Sequence, residues 1–236
     1  MKNVRVSSSK WVFTVALVAS ATGFSGCAMM GASEPAQAPA QALTADHPTP
    51  LMQAAASGEM DRILALIEAG QPVNVSTPQG SALSWAIDKK QMEAARYLLS
   101  IGAKPDIAIP SGAASSLMKM AQAGETQMVK LLLAAGADVN YADTDGDTAL
   151  ARAAYEGNLT TVKALLAAGA NVNIAPKGTS LLSHIVSNND MLLTQVLIAA
   201  GADVNSHGEA GVTPLEMARQ KGYKDLEMLL VQSGAQ

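Results

Sequence analysis

Residues Ala134–Asn140 read AAGADVN, Ala167–Asn173 read AAGANVN, and Ala199–Asn205 read AAGADVN again. Self-similarity at a fixed period of about 20–50 residues is the signature of a stacked repeat architecture. Working outward from these copies, fainter ones appear as EAGQPVN (Glu68–Asn74) and SIGAKPD (Ser100–Asp106), and the chain stops on SGAQ. Their glycines are Gly70, Gly102, Gly136, Gly169, Gly201 and Gly234, separated by 32, 34, 33, 32 and 33 residues. A second marker keeps the same five separations: Leu51, Leu83, Leu117, Leu150, Leu182 and Leu215. Two markers in step over six copies define six units.

Each unit follows one physical script. A turn precedes a short helix of small residues, as in TPLMQAAASG and DTALARAAYEG. A glycine ends that helix because the C-cap needs a left-handed backbone. A second helix follows with apolar residues at helical spacing: Val129, Leu132 and Leu133; Val162, Leu165 and Leu166; Leu193, Leu197 and Ile198. Alanines in the first helices allow close approach, so each helix pair stacks on the next. Aromatic residues are scarce at 3%, which argues against a β-sandwich.

Thr49-Pro50-Leu51 and Thr213-Pro214-Leu215, with the degenerate Ser81-Ala82-Leu83, Ser116-Leu117 and Thr148-Ala149-Leu150, make the units resemble the ankyrin repeat. The resemblance covers residues 45–236. It implies an all-α repeat solenoid of about six helix–turn–helix units joined by β-turns or hairpins, starting near 45, 77, 111, 144, 176 and 209. Where the family has a mid-unit glycine, the second unit has Lys90 and the fifth Asn189. Asn tolerates the left-handed region, whereas Lys90 is expected to be strained there. The third unit opens on IAIPSGAAS, and its turn is the least regular. The sixth is expected to act as a cap, with Lys221, Lys224, Asp225 and Glu227 on its outer side.

Ahead of the repeats, MKNVRVSSSK carries three cations and WVFTVALVASATGF is apolar or small throughout. This has the form of a secretory signal, and it is shorter than the roughly 20 apolar residues of a spanning helix. A buried N-terminal helix fits less well, because the run lacks a polar face. Gly23-Phe24-Ser25-Gly26-Cys27 resembles the lipobox of bacterial lipoproteins, with Phe24 in place of the usual Leu. The resemblance implies removal of residues 1–26 and lipidation of Cys27. With Ala28 next, it also implies anchoring to the outer membrane, facing the periplasm. The competing reading is an ordinary cleavage near Ala21–Gly23. The remaining stretch, 27–44, alternates Ala, Pro and Gln and is expected to be a disordered tether.

Chemistry is sparse. The one cysteine, Cys27, has no internal partner, and His47, His184 and His207 have no metal-ligand spacing. His184, among Leu181, Leu182 and Ile185, is expected to be packed. Asp143–Asp147 (DTDGD) hints at a calcium loop, but Gly146 precedes the third acid instead of following it. No cofactor, metal, small-molecule substrate or catalytic activity is expected. Three of the 16 basic residues precede Cys27, so the rest of the chain has 13 basic against 20 acidic residues, a poor match for nucleic acid.

The ankyrin resemblance implies a protein partner on the concave face formed by turn tips and first helices. The matching positions are Thr77, Pro78, Asp88 and Lys89 in the second unit, with Ser111 and Gln122 in the third. The fourth contributes Thr144, Asp145, Asp147, Tyr155 and Glu156; the fifth, Lys177, Ser187 and Asn188; the sixth, Glu209, Gln220 and Lys221. The acidic middle around Tyr155 predicts a basic partner site. Trp85 is expected in the core. The functional expectation is an envelope-anchored interaction module, in its sharper form an immunity or protective factor. Its alternative is a structural scaffold of the cell envelope.

Overall fold

A serine or threonine starts every first helix. In the computed structural model, which describes residues 43–44, 47–107, 113–208 and 211–236, six helix pairs follow one another. They are Pro50–Ser57 (α1) with Met60–Glu68 (α2), Ala82–Asp88 (α3) with Met92–Ser100 (α4), and Ser116–Gln122 (α5) with Thr126–Ala134 (α6). Ala149–Tyr155 (α7) with Leu159–Ala167 (α8), Leu181–Ser187 (α9) with Met191–Ala199 (α10), and Pro214–Lys221 (α11) with Lys224–Gln232 (α12) complete the array. Thr49, Ser81, Ser115, Thr148, Ser180 and Thr213 cap the first helices, each hydroxyl accepting the N–H three residues on at 3.1–3.3 Å. Such a cap stabilises a helix by about 1 kcal/mol. It needs the hydroxyl and not the proline, which is why the degenerate copies of Thr-Pro-Leu still fold.

Between the helices of each pair the backbone turns left-handed. The residues there are Gly58, Lys90, Gly124, Gly157, Asn189 and Gly222, with φ of 71°, 58°, 71°, 72°, 58° and 74°. Lys90 therefore adopts the strained conformation expected of it, and Asn189 the tolerated one.

The pairs stack through one continuous core. Counting from the first helical residue, position 6 of the first helices carries Ala55, Ile87, Ala121, Ala154 and Val186, and position 4 of the second helices carries Ile63, Ala95, Val129, Val162 and Thr194; all ten are buried. In the last pair these same two positions hold Arg219 and Glu227, whose side chains pair at 3.1 Å on the open side. At the other end, position 3 of α2 holds Arg62, paired with Glu59 at 3.3 Å, where later units bury Ala94, Met128, Thr161, Leu193 and Leu226. Charge thus replaces uncharged seam residues where no further helix pair packs among the described residues.

Polar contacts fix the register between neighbours. Asn74 Nδ2 donates to the Gly102 carbonyl at 3.0 Å while its Oδ1 accepts the Lys104 N–H at 2.8 Å. Asn140 repeats both bonds with Gly169 and Asn171, and Asn173 with Gly201 and Asp203. Asn205 accepts the Gln236 N–H at 2.9 Å. At the second-to-third junction the residue is Asp106. Its Oδ2 accepts the Asp138 N–H at 2.7 Å, but Oδ1, standing where the asparagines place an N–H donor, is buried without a partner. Burial accordingly raises the Asp106 pKa, offset by the Asp138 N–H and reinforced by the Asp138 charge.

A small sheet opens the array. Leu43–Thr44 (β1) runs parallel to Val75–Thr77 (β2), placing Leu43 beside Val75. β2 pairs antiparallel with Gly80–Ser81 (β3). The strand β1 comprises the last two residues of the stretch expected to be a disordered tether, where they bond to the open edge of β2. Trp85 also departs from expectation. It is half-buried at the margin of the core, and its Nε1 donates to the Gln79 carbonyl at 3.2 Å. Its indole needs that acceptor, and the hairpin supplies it.

Two substitutions test this account by urea unfolding. Asp106→Asn restores the missing donor and removes an ionised oxygen from a buried site, so a gain of about 1 kcal/mol is expected at neutral pH. Because the folded-state pKa is raised, the contribution of Asp106 is full below the unfolded pKa and is lost as pH rises through the folded one; the gain therefore vanishes in acid. Lys90→Gly relieves the left-handed strain at some cost in unfolded-chain entropy, for a net gain of about 0.5–1 kcal/mol. Asn189→Gly should be nearly neutral.

Candidate partner-binding face

Helix geometry decides which side chains face away from the core. Position 4 of the first helices carries Gln53, Trp85, Lys119, Arg152, His184 and Met217; position 7 carries Ala56, Asp88, Gln122, Tyr155, Ser187 and Gln220. Residues three apart share a face, and both rows lie outside the buried positions 2 and 5. With the turn tips they form one continuous surface.

Several expected contact residues lie on it, and one does not. Thr77 is buried, its hydroxyl donating to the Gly80 carbonyl at 3.1 Å and accepting the Gln79 N–H at 3.2 Å, so it holds the hairpin closed. Asp88 pairs with Lys119 at 2.7 Å, and Lys89, Asn188 and Gln220 are exposed. Thr144 is exposed at the fourth turn tip. Cys27, Ser111 and Glu209 lie outside the described residues.

The fourth unit is where the acidic reading changes. Asp143 Oδ1 accepts the N–H groups of Asp145 and Asp147, both at 3.0 Å, and Oδ2 accepts Arg152 at 2.7 Å. Burial pushes the Asp143 carboxyl up, but the Arg152 bond and the two backbone N–H groups outweigh it and hold the pKa below the usual range. Arg152 also lies 3.9 Å from Asp147 and donates to Gln122 Oε1 at 3.1 Å. Gln122 in turn donates to Glu156 at 3.2 Å, and Asp145 pairs with Lys177 at 3.3 Å. The carboxylates that suggested calcium, or a basic partner, are thus engaged by the turn and by cations of the same surface. No group of three metal-binding side chains occurs among the described residues.

Units four to six enclose a groove of about 580 Å³ lined by Asp147, Tyr155, Pro176, Lys177, Thr179, Ser183, His184, Ser187, Met217 and Lys221. Tyr155 and His184 rest against each other, ring centroids 4.4 Å apart and tilted by 54°. His184 is half-buried and faces this groove instead of the leucines beside it in sequence, because position 4 of the helix points outward. Burial and the nearby Asp147 charge push the Tyr155 hydroxyl up to about 12. Asp147 is itself raised, first by burial and then by Asp143. Lys221 donates to the Ser187 carbonyl at 2.9 Å, and the Ser187 hydroxyl to the His184 carbonyl at 2.8 Å. Arg152, His184, Thr179 and Met217 were missed in the sequence. The signal that would have found three of them is the shared register of position 4.

Comparison with known proteins accords with this geometry. The profile of ankyrin repeats (3 copies) matches residues 27–109 and 111–176. A putative ankyrin repeat-containing protein of Treponema pallidum is 36% identical over 97 residues, 41% of this chain; the chain spans only a third (33%) of that relative. The putative ankyrin repeat protein YahD of Escherichia coli is 29% identical over 199 residues, covering 80% of this chain and 97% of YahD. The crystal structure of an ankyrin repeat domain from Acinetobacter baumannii superposes with a TM-score of 0.72 at 31% identity, covering 79% of this chain and 98% of that one. With the family profile matched over more than half its length and the repeat stack shared with a solved relative, the chain belongs to the ankyrin-repeat family.

Proposed function

We propose that this protein is a membrane-anchored interaction module of the bacterial cell envelope, holding a protein partner on the surface described above and performing no catalysis. Ankyrin-repeat domains are generally protein–protein interaction modules, and the observation that carries the reading here is the groove over units four to six. There a half-buried Tyr155 and His184 sit between polar side chains on a surface the core does not need. Aromatic side chains partly withdrawn from water are the usual anchors of protein interfaces.

The anchor rests on Gly23–Cys27 and the apolar run before it. A diacylglycerol-bearing Cys27 would hold the array at the outer membrane, facing the periplasm, since two acyl chains suffice for stable attachment. Within that setting the sharper role is that of an immunity or protective factor, masking a toxin or guarding an envelope enzyme.

Crosslinking followed by mass spectrometry in envelope fractions tests the face. The Tyr155→Ala/His184→Ala variant, with its fold verified by thermal unfolding, should lose a stoichiometric partner that the unaltered chain retains. The same partner captured by both would overturn the assignment. Separately, Cys27→Ser should move the protein from the membrane pellet to the soluble fraction, and persistence in the pellet would contradict the lipid anchor.

A further inference from the structure

The groove over units four to six sets two ammonium groups, Lys177 and Lys221, against one carboxylate, Asp147. Lys221 contacts a backbone carbonyl, that of Ser187, and pairs with no carboxylate among the described residues. The same carbonyl also receives the Tyr223 hydroxyl at 3.5 Å, so it is already shared. The Tyr155 hydroxyl and the His184 imidazole make no hydrogen bond among the described residues, although both rings line the groove. Tyr155 keeps its proton far above neutral pH, since its pKa is pushed to about 12. Lys177 is paired with Asp145 at 3.3 Å, but the two side chains are 68% and 56% exposed. An exposed pair of this kind is worth little and exchanges readily for another partner. The carboxylate in the lining, Asp147, stands at the fourth-unit end within 3.9 Å of Arg152.

We infer that the groove receives acidic side chains of the bound protein, whose carboxylates are held by Lys221 and Lys177 and by the Tyr155 hydroxyl and His184 ring between them. The inference rests on the proposed binding face and specifies the charge of what occupies it, opposite to the basic partner that the acid count of this region suggested. A carboxylate meets the requirement because it is acceptor-only, and its bonds to ammonium groups are charge-assisted. An aspartate or glutamate also fits the volume, with its aliphatic stem against Met217 and Pro176. A lysine or arginine from the partner would meet one lining carboxylate, Asp147, and would add its charge to Lys177 and Lys221.

The test uses the full chain, labelled with nitrogen-15, and two blocked ten-residue probes, decaglutamate and decalysine, each acetylated and amidated so that no terminal charge contributes. Decaglutamate should shift the amide signals of Tyr155, Lys177, His184 and Lys221 together. The Lys177→Gln/Lys221→Gln variant should weaken that binding about tenfold or more, the scale of losing charge-assisted bonds. Its unperturbed signals elsewhere would show that the fold is intact. Tyr155→Phe, which removes one donor and keeps the ring, should weaken it less. Shifts produced by decalysine in place of decaglutamate, no shifts at these residues, or an affinity unchanged in the double variant would each overturn the inference. None of these outcomes would touch the binding face itself, which stands or falls on the crosslinking of Tyr155→Ala/His184→Ala.

Discussion

A single ankyrin unit cannot bury its own apolar face, and the stack exists because each unit lends its neighbour a surface to cover. In this chain small side chains do much of that lending, beside Ile63, Ile87, Val162 and Val186. Ala55, Ala121 and Ala154 on the first helices, and Ala95 and Val129 on the second, let successive pairs approach until no solvent reaches between them. Dense packing of this sort tolerates little change in volume, since cores respond to a single methylene. It also leaves little directional information, because alanine surfaces slide. Register therefore falls to polar groups: the asparagine ladder, the Thr126–Thr161 hydroxyl contact at 2.7 Å, and the Asn158 amide bonded to the Ala121 and Gln122 carbonyls. Thr161 is buried, so a slipped register would strand its hydroxyl as well as break its bond, whereas the asparagine ladder is exposed and selects the register by the direction of its paired bonds.

The same logic explains the two outer faces. Seam positions that are uncharged inside the stack become Arg62 at one side and Arg219 with Glu227 at the other. Pairs this exposed contribute little stability. Their effect is to make burial against a further helix pair unfavourable, since that would desolvate the charges. Lys224, also drawn to Glu227 at 3.4 Å, adds to the barrier.

How far the sequence could be read depended on whether a residue's role is local or comes from a neighbour one unit away. The six units, their helix pairs and the left-handed positions at Lys90 and Asn189 were legible because phasing, capping and backbone sterics act within a few residues. Thr77 was misread because the turn tip it occupies curls its hydroxyl inward onto Gly80. His184 is packed as expected, but against Tyr155, one unit back, and not against the leucines beside it in sequence. The acidic DTDGD segment was misread as an open surface because the cations that engage it, Arg152 and Lys177, lie outside the segment. Charge counts along a repeat chain mix partners that the fold brings together.

That compensation has a consequence for binding. When Arg152 is held by Asp143, which is 6% exposed, its guanidinium is committed to shaping the fourth turn and bridging to Gln122 in the third unit. The network thus stiffens the junction on one side of the groove, while Lys221 and Tyr223, both on the Ser187 carbonyl, tie the fifth unit to the sixth on the other. Between these two clamps lie Tyr155 and His184, with polar atoms that the fold does not use. A binding site gains most when its walls are already ordered, because less conformational entropy is lost on association. In this array the contacts that fix one unit on the next also pre-order the groove, so the stacking constraint and the recognition surface are set by the same side chains.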